Sequence, residues 1–304
     1  MREAVVFGAS GQIGAALLPR LQASGWRVHA VSRRAPVATT QGAAGDAAAV
    51  HWLRGDLAHV GGLPAGVDAI FSCGPLDHFA RWYAKGTVAA PRVVAFGSTS
   101  VSVKQASGDD AERALAARLA EAESRLWASA VAHGAAVTVL RPTLVYGAGR
   151  DATLSRIAAL ARRRGVFVLP HDARGLRQPV HVDDLAAAAE ATIAAPAEVV
   201  GGRGYDLPGG ESLAYRDMVL RVLAALDPPA ALWTLPSPLF ALAVRIARAS
   251  GRLHGFGPQA LARLREDLVF DAGMAQRDIG YAPRAFTPTA AMLAPPSDVP
   301  ADGR

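Results

Sequence analysis

The stretch VVFGASGQIGAALLPRL, Val5–Leu21, decides how the rest of the chain is read. Gly8 breaks the apolar run Ala4–Phe7, and from there Ile13, Leu17, Leu18 and Leu21 recur at helical spacing. The stretch therefore reads as strand, turn and helix. Gly8, Gly11 and Gly14 fall in the turn, spaced GxxGxxG. Each glycine has its own physical reason to be there. The first permits a sharp turn, the second lets a pyrophosphate approach backbone N–H groups, and the third lets helix and strand pack closely. Phosphates would then rest at a helix amino terminus, where unpaired N–H groups and the dipole favour anions. With Ser10, Gln12 and Ile13 the turn makes the expected cradle for a dinucleotide. A turn that only joined strand to helix would not need three glycines so placed.

The second expected strand, Trp26–Val31, ends in Ser32-Arg33-Arg34. A site preferring NAD usually places Asp or Glu here for the ribose 2′-hydroxyl, whereas Arg accommodates a 2′-phosphate. NADP is the expected cofactor, with NAD as the alternative. Leu53-Arg54-Gly55-Asp56-Leu57 sets an Asp after a third strand, where Asp56 and Leu57 could meet the adenine. Asp68–Cys73 is a fourth strand-like run that ends in Gly74-Pro75, beside the expected cofactor path. Cys73 reads equally as a small buried thiol.

At 304 residues, about half of them apolar, the chain can bury a sizeable core. The net charge of +6 comes almost wholly from Arg, since Lys85 and Lys104 are the only lysines. The densest basic run, Arg162-Arg163-Arg164, has no interleaved aromatics, so nucleic acid is not an expected partner. A single cysteine permits no internal disulfide and fits a reducing compartment. No signal-like segment precedes the first apolar run. Leu239–Val244 is too short to span a bilayer and runs into Arg245 and Arg248. It reads as an amphipathic helix packed on the body of the protein, with no membrane partner. A cytoplasmic protein is the expectation. The histidines show no metal-ligand spacing, so no metal is expected.

By this point the chain resembles the short-chain dehydrogenase/reductase superfamily, in its extended, epimerase/dehydratase-like branch. GASGQIG, RGDL, VVAFGSTSV, VTVLRPTLVYG, RQPVHVDDLA and the tail DLVFDAGMAQRDIGYAPRAF carry the resemblance by their order and spacing. It implies an α/β fold: a Rossmann-type doubly wound parallel sheet with a smaller, mainly helical carboxyl-terminal substrate lobe. The Rossmann domain is expected over 1–145 and 177–200 and the lobe over 146–176 and 201–292. YDLPGG, Tyr205–Gly210, would open the lobe's second segment. Residues 293–304, rich in Pro and Asp, would be a frayed tail.

Active members of this superfamily carry Tyr and Lys four residues apart on the helix after the fifth strand. One helical turn puts both on the same face, where the Lys lowers the Tyr pKa and the Tyr exchanges a proton with the substrate. Here that helix is expected over Asp110–His133. Counting back from Glu123, the two positions hold Leu115 and Leu119, and no Tyr anywhere precedes a Lys by four. Leu115, Leu119, Ala122 and Leu126 form an apolar stripe instead.

Other family positions keep their residue types. Ser98 stands where the family places its substrate-positioning hydroxyl, with Thr99 and Ser100 as substrate contacts close by. Pro142 and Thr143 resemble the loop beside the nicotinamide. Tyr146 is the remaining phenol expected near a substrate, and Ser98 and Tyr146 are the catalytic candidates. Arg177 aligns with an arginine that clamps a pyrophosphate in nucleotide-sugar members, so a small, phosphorylated substrate is one expectation. Its ordinary reading is a surface or ion-paired arginine. His181 and Asp183 read as structural, Asp183 as a helix cap.

Two functions from different classes follow. The first is an atypical NADP-dependent oxidoreductase or epimerase whose proton donor has left the Tyr–Lys helix. The second is a non-catalytic NAD(P)-binding sensor or assembly protein. By analogy with the superfamily, a homodimer is the oligomer to test.

Overall fold

The computed structural model describes residues 1–34, 50–249 and 258–295. β1 (Arg2–Phe7), α1 (Gln12–Ala23) and β2 (Trp26–Ser32) open the chain, followed by β3 (Val50–Arg54), β4 (Ala69–Ser72), α2 (Leu76–Tyr83) and β5 (Arg92–Phe96). Next come α3 (Ser100–Val103), α4 (Asp110–His133), β6 (Ala136–Pro142), β7 (Val145–Tyr146) and α5 (Leu154–Arg164). Short β8 (Val166–Pro170), β9 (Leu176–Arg177) and β10 (Val180–His181) precede α6 (Val182–Ala194), α7 (Ala197–Val200) and β11 (Arg203–Leu207). The remainder holds β12 (Leu213–Ala214), α8 (Tyr215–Ala224), β13 (Ala231–Leu235), α9 (Ser237–Ala249), α10 (Pro258–Arg263) and α11 (Gly273–Ile279).

The chain divides into two units. The first comprises Met1–Thr143, Val182–Leu207 and Asp271–Ala282. Its seven-stranded sheet has the order β11-β6-β5-β4-β1-β2-β3, and every pairing is parallel. Parallel strands buried on both faces must be apolar almost throughout. Accordingly Ala4–Phe7 and Ala69–Ser72 are buried without interruption. Phe7, Phe79, Trp82 and Tyr83 interlock within the core, with the Phe7 and Trp82 rings 4.4 Å apart. α4 spans the residues expected from the sequence. It starts because the Asp109 carboxylate accepts from the amides of Ala111 and Glu112, and it stops at Gly134, which takes up the left-handed conformation.

The second unit comprises Leu144–His181, Pro208–Phe270 and the chain from Pro283. α5 and α8 enclose a separate core that includes Leu154, Ile157, Met218, Val222 and Phe286. Three two-stranded ladders, β10 with β7, β12 with β9 and β13 with β8, complete it.

The boundaries differ from the expected ones, for a reason that lies in strand pairing. Tyr205–Leu207 does not open the lobe: as part of β11 it pairs with β6 at the edge of the sheet. Arg177–His181 does not return to the sheet, because β9 pairs with Leu213–Ala214 and β10 with Val145–Tyr146. α6 begins at Val182, so Asp183 lies within its first turn and does not precede it as a cap. α9 packs against β8 and keeps Val244 inside, as expected of an amphipathic helix, while Leu239 and Leu242 of the expected apolar run are exposed. The expected frayed tail does not start at Leu293, which is buried in the core of the second unit with its carbonyl accepting from Arg162; from residue 296 onward it lies outside the described residues.

Candidate functional site

The sheet order reverses between β1 and β4, and in such sheets the crevice beyond the strands' carboxyl ends at that point is where ligands bind. Gly8 follows β1 and Cys73 follows β4. Gly8 has φ +70°, and a Cβ there would lie 2.9 Å from the Cys73 carbonyl carbon and 3.0 Å from the Gly74 nitrogen. A Cβ on Gly14 would overlap the Gly8 carbonyl oxygen and lie 2.8 Å from Ala9 Cα. Both glycines thus bring backbone to backbone, which leaves the turn lined by amides.

Those amides are available. The first bond of α1 runs from the Ala15 N–H to the Gly11 carbonyl, 2.8 Å. Gln12, Ile13 and Gly14 therefore occupy the turn before the ladder begins; no side chain caps it, and it holds no acidic residue. A helix start of that kind favours an anion. Among the described residues the Gln12 side-chain oxygen is buried and lacks a hydrogen-bond partner, while the Ile13 side chain is buried in support of the turn. A Cβ-free cradle, uncapped amides and an orphaned polar atom fit a nicotinamide dinucleotide.

The rest of the expected cofactor residues gather at the same sheet end. Ser10 and Ser32 join the glycine turn to the end of β2 through their hydroxyls, 2.5 Å apart. The Arg34 amide donates to Ser32 Oγ at 3.1 Å, and both arginine side chains are exposed. Asp56 accepts from the amides of Ala58 and His59, each at 2.9 Å. Those bonds hold its carboxyl below the usual range, with a smaller contribution from Arg33. The Asp56 turn is thus partly self-satisfied. Leu57 leans toward Gly74, and Pro75 starts α2. Burial pushes the Cys73 thiol up to about 12, so it is an inert lining group at neutral pH.

β5 and β6 supply the neighbouring rim. Ser98 Oγ accepts from the Ser100 N–H at 3.2 Å, which leaves its own O–H for another acceptor. Thr99 is buried and donates through N and Oγ1 to the Pro142 carbonyl, both at 3.3 Å, so it braces the rim. The Thr143 amide donates to the Leu207 carbonyl, 3.3 Å.

Two expected site residues are engaged elsewhere. Tyr146 is 1% exposed, with His181 and Phe286 edge-on at 5.0 and 4.9 Å. It is core of the second unit and not a phenol lining a site. Arg177 is buried, and its guanidinium donates to the carbonyls of Leu176, Glu266 and Arg263 and lies over the Tyr215 ring. A guanidinium engaged with three carbonyls has no fork left for a pyrophosphate, so the clamp reading is corrected.

Sequence reasoning assigned no role to the half-buried ion cluster behind the rim, of which Glu123 is the buried member. Arg141 on β6 makes two bonds to Glu123 on α4, 2.7 and 2.5 Å, and lies 3.7 Å from Asp206 on β11. The bond from Glu123 raises the Arg141 pKa, and burial raises that of Asp206. The signal was there: a Glu in the stripe of Leu119, Ala122 and Leu126, and an Arg in the apolar strand VTVLRP. Glu123 fixes the register of α4. It puts Leu119 and Leu115, both half-buried, on the Glu123 face one and two turns earlier.

The model of the NAD dependent epimerase/dehydratase family matches residues 4–90 and 112–207. A curated protein of Stenotrophomonas maltophilia (strain K279a), 2-alkyl-3-oxoalkanoate reductase, is 29% identical over 92% of this chain and 94% of its own. Among solved structures, a UDP-glucuronic acid 4-epimerase from Bacillus cereus in complex with UDP-glucuronic acid and NAD matches with TM-score 0.66 and 12% identity. MoeE5 in complex with UDP-glucuronic acid and NAD matches with TM-score 0.65 and 21% identity. Each structural match covers 96% of both chains, and at these identities it carries the fold.

Proposed function

The chain belongs to the NAD dependent epimerase/dehydratase family, and from that premise we propose that it is an NADP-preferring reductase of a carbonyl group that works without the Tyr–Lys pair. The observation that carries this reading is the uncapped glycine turn, in which the amides of Gln12, Ile13 and Gly14 precede the first helix bond and no side chain caps them. Arg33 and Arg34, exposed and with no Asp or Glu beside them in the chain, favour a 2′-phosphate.

The cofactor, when bound, supplies a hydride. The protein's part is to hold the acceptor. Ser98 Oγ is fixed by the Ser100 amide and would donate a hydrogen bond to the carbonyl oxygen as a positioned donor, and the alkoxide left by hydride transfer would take its proton from water. Leu115 and Leu119 give the neighbouring helix face an apolar character in place of a phenol and an ammonium. The engagement of Arg177 with three carbonyls removes the reason to expect a nucleotide-sugar phosphate. An alkyl-bearing ketone, of the kind named for the S. maltophilia relative, suits these residues better than a sugar nucleotide.

The test is NADPH consumption with 2-alkyl-3-oxoalkanoates, compared in wild type, Ser98→Ala and Tyr146→Phe. Loss of one positioned donor lowers turnover by about 100-fold. Ser98→Ala should lose about that much and keep its NADPH affinity, whereas Tyr146→Phe should turn over as wild type. A second reading, a non-catalytic NAD(P) binder, is favoured by the replacement of both family residues by leucine. Thermal stabilisation by NADPH without turnover of any carbonyl would establish it.

A further inference from the structure

The second unit turns an apolar face outward. Trp233 on β13 is 63% exposed, and on α9 Leu239, Leu242 and Ile246 are 54%, 51% and 63% exposed. Their spacing of three and then four residues puts the three aliphatic side chains on one stripe of the helix. Val244, on the opposite side, is the inward anchor at 7% exposed. A helix of a soluble fold ordinarily turns its wider apolar stripe inward. α9 turns Val244 and the half-buried Phe240 inward and leaves a second apolar stripe exposed, of the kind that marks an interaction surface.

The charge of the segment that carries the patch indicates what covers it. From Pro228 to Arg265 the sequence holds five arginines and neither Asp nor Glu. Arg265 is paired with Asp172, which also meets Ser237 at the start of α9. Arg245 is exposed on α9 itself, beside the stripe. Leucine, isoleucine and tryptophan on one side with arginine alongside is the composition of helices that lie in the headgroup plane of a bilayer. Tryptophan is enriched at that depth, and arginines near it are drawn to anionic headgroups. Among the described residues no helix is long and apolar enough to cross a membrane, so a spanning role is not in question. We infer that Trp233 and the Leu239–Leu242–Ile246 stripe of α9 form a docking face for an anionic lipid surface. This inference stands on different residues from the cofactor site and does not depend on the proposed reaction.

The experiment is sedimentation of the full chain with vesicles of phosphatidylcholine alone or mixed with phosphatidylglycerol, at low and high salt. The protein should pellet with the mixed vesicles, less with phosphatidylcholine, and less again as salt rises. Leu242→Glu and Ile246→Glu, which place carboxylates on exposed positions, should each lower the bound fraction by about tenfold. Thermal melting checks that these variants fold. Absence of binding to anionic vesicles by the wild type would overturn the inference whatever the variants do. So would equal binding by wild type and both variants, or a dimer in solution that Leu242→Glu dissociates while vesicles remain unbound.

Discussion

Gly14→Ala tests the cradle at the atom on which it depends. The added methyl would overlap the Gly8 carbonyl oxygen and approach Ala9 Cα and C to 2.8 and 2.9 Å. All three neighbours are backbone, so no side chain can rotate aside. Restoring an ordinary carbon contact moves the start of α1 away from β1 by about 1 Å, and overpacking of this kind costs roughly 1–3 kcal/mol. Replacing a helical Gly by Ala returns up to about 1 kcal/mol through propensity. Subtracting that full return leaves a net loss of roughly 0–2 kcal/mol, which for a chain of this size lowers Tm by up to roughly 8 °C. The displaced amides would also miss the pyrophosphate. A hydrogen bond to a charged group is worth roughly 1.5–3 kcal/mol, so losing one weakens NADPH binding roughly 10- to 100-fold. Calorimetric titration reads the affinity, and differential scanning reads Tm. Gly61→Ala is the control: its Cβ would meet nothing within 4 Å. A folded Gly14→Ala protein that bound NADPH within about twofold of wild type would refute the reasoning.

Removing both arginines after β2, Arg33→Ala with Arg34→Ala, should weaken NADPH binding and leave NADH binding alone. Exposed charge contacts are worth about 1 kcal/mol apiece, so the expected loss is roughly 30-fold, and an equal fall for both cofactors would count against a 2′-phosphate site. Glu123→Ala strands Arg141 between half-buried neighbours and should destabilise by about 3 kcal/mol, read by chemical denaturation. Asp206→Asn should cost far less, because burial already holds that carboxyl above its usual range; the reverse order of the two would show that Asp206 is the anchoring partner. Cys73, the single thiol, should resist alkylation in the native protein and react on unfolding. Its folded pKa is raised, so its contribution to stability is complete below the ordinary thiol range and is lost as pH climbs toward about 12. A Cys73→Ala variant should therefore lose less stability than wild type over that alkaline window, and matching pH profiles would exclude the effect.

The fold and the glycine turn were legible because both are local. A strand, three glycines and a helix occupy Val5–Leu21, and the consequences of missing side chains follow from spacing alone. The extent of α4 was equally plain, since an Asp cap, an apolar stripe and a terminal Gly all lie within that segment. The roles of Tyr146, Arg177 and Glu123 were not local. Tyr146 and Arg177 sit in short strands whose partners are remote in sequence, and those pairings turn the phenol into core and the guanidinium onto three carbonyls. Glu123 acquires its meaning only from Arg141 across the α4–β6 packing. Periodicity also showed that α9 is amphipathic without showing which way it faces. Where the backbone must come close and where the chain must turn can be read from neighbouring residues, because those demands are local. Which polar groups stay available is settled in the folded state, because a donor's availability depends on every acceptor that folding brings to it.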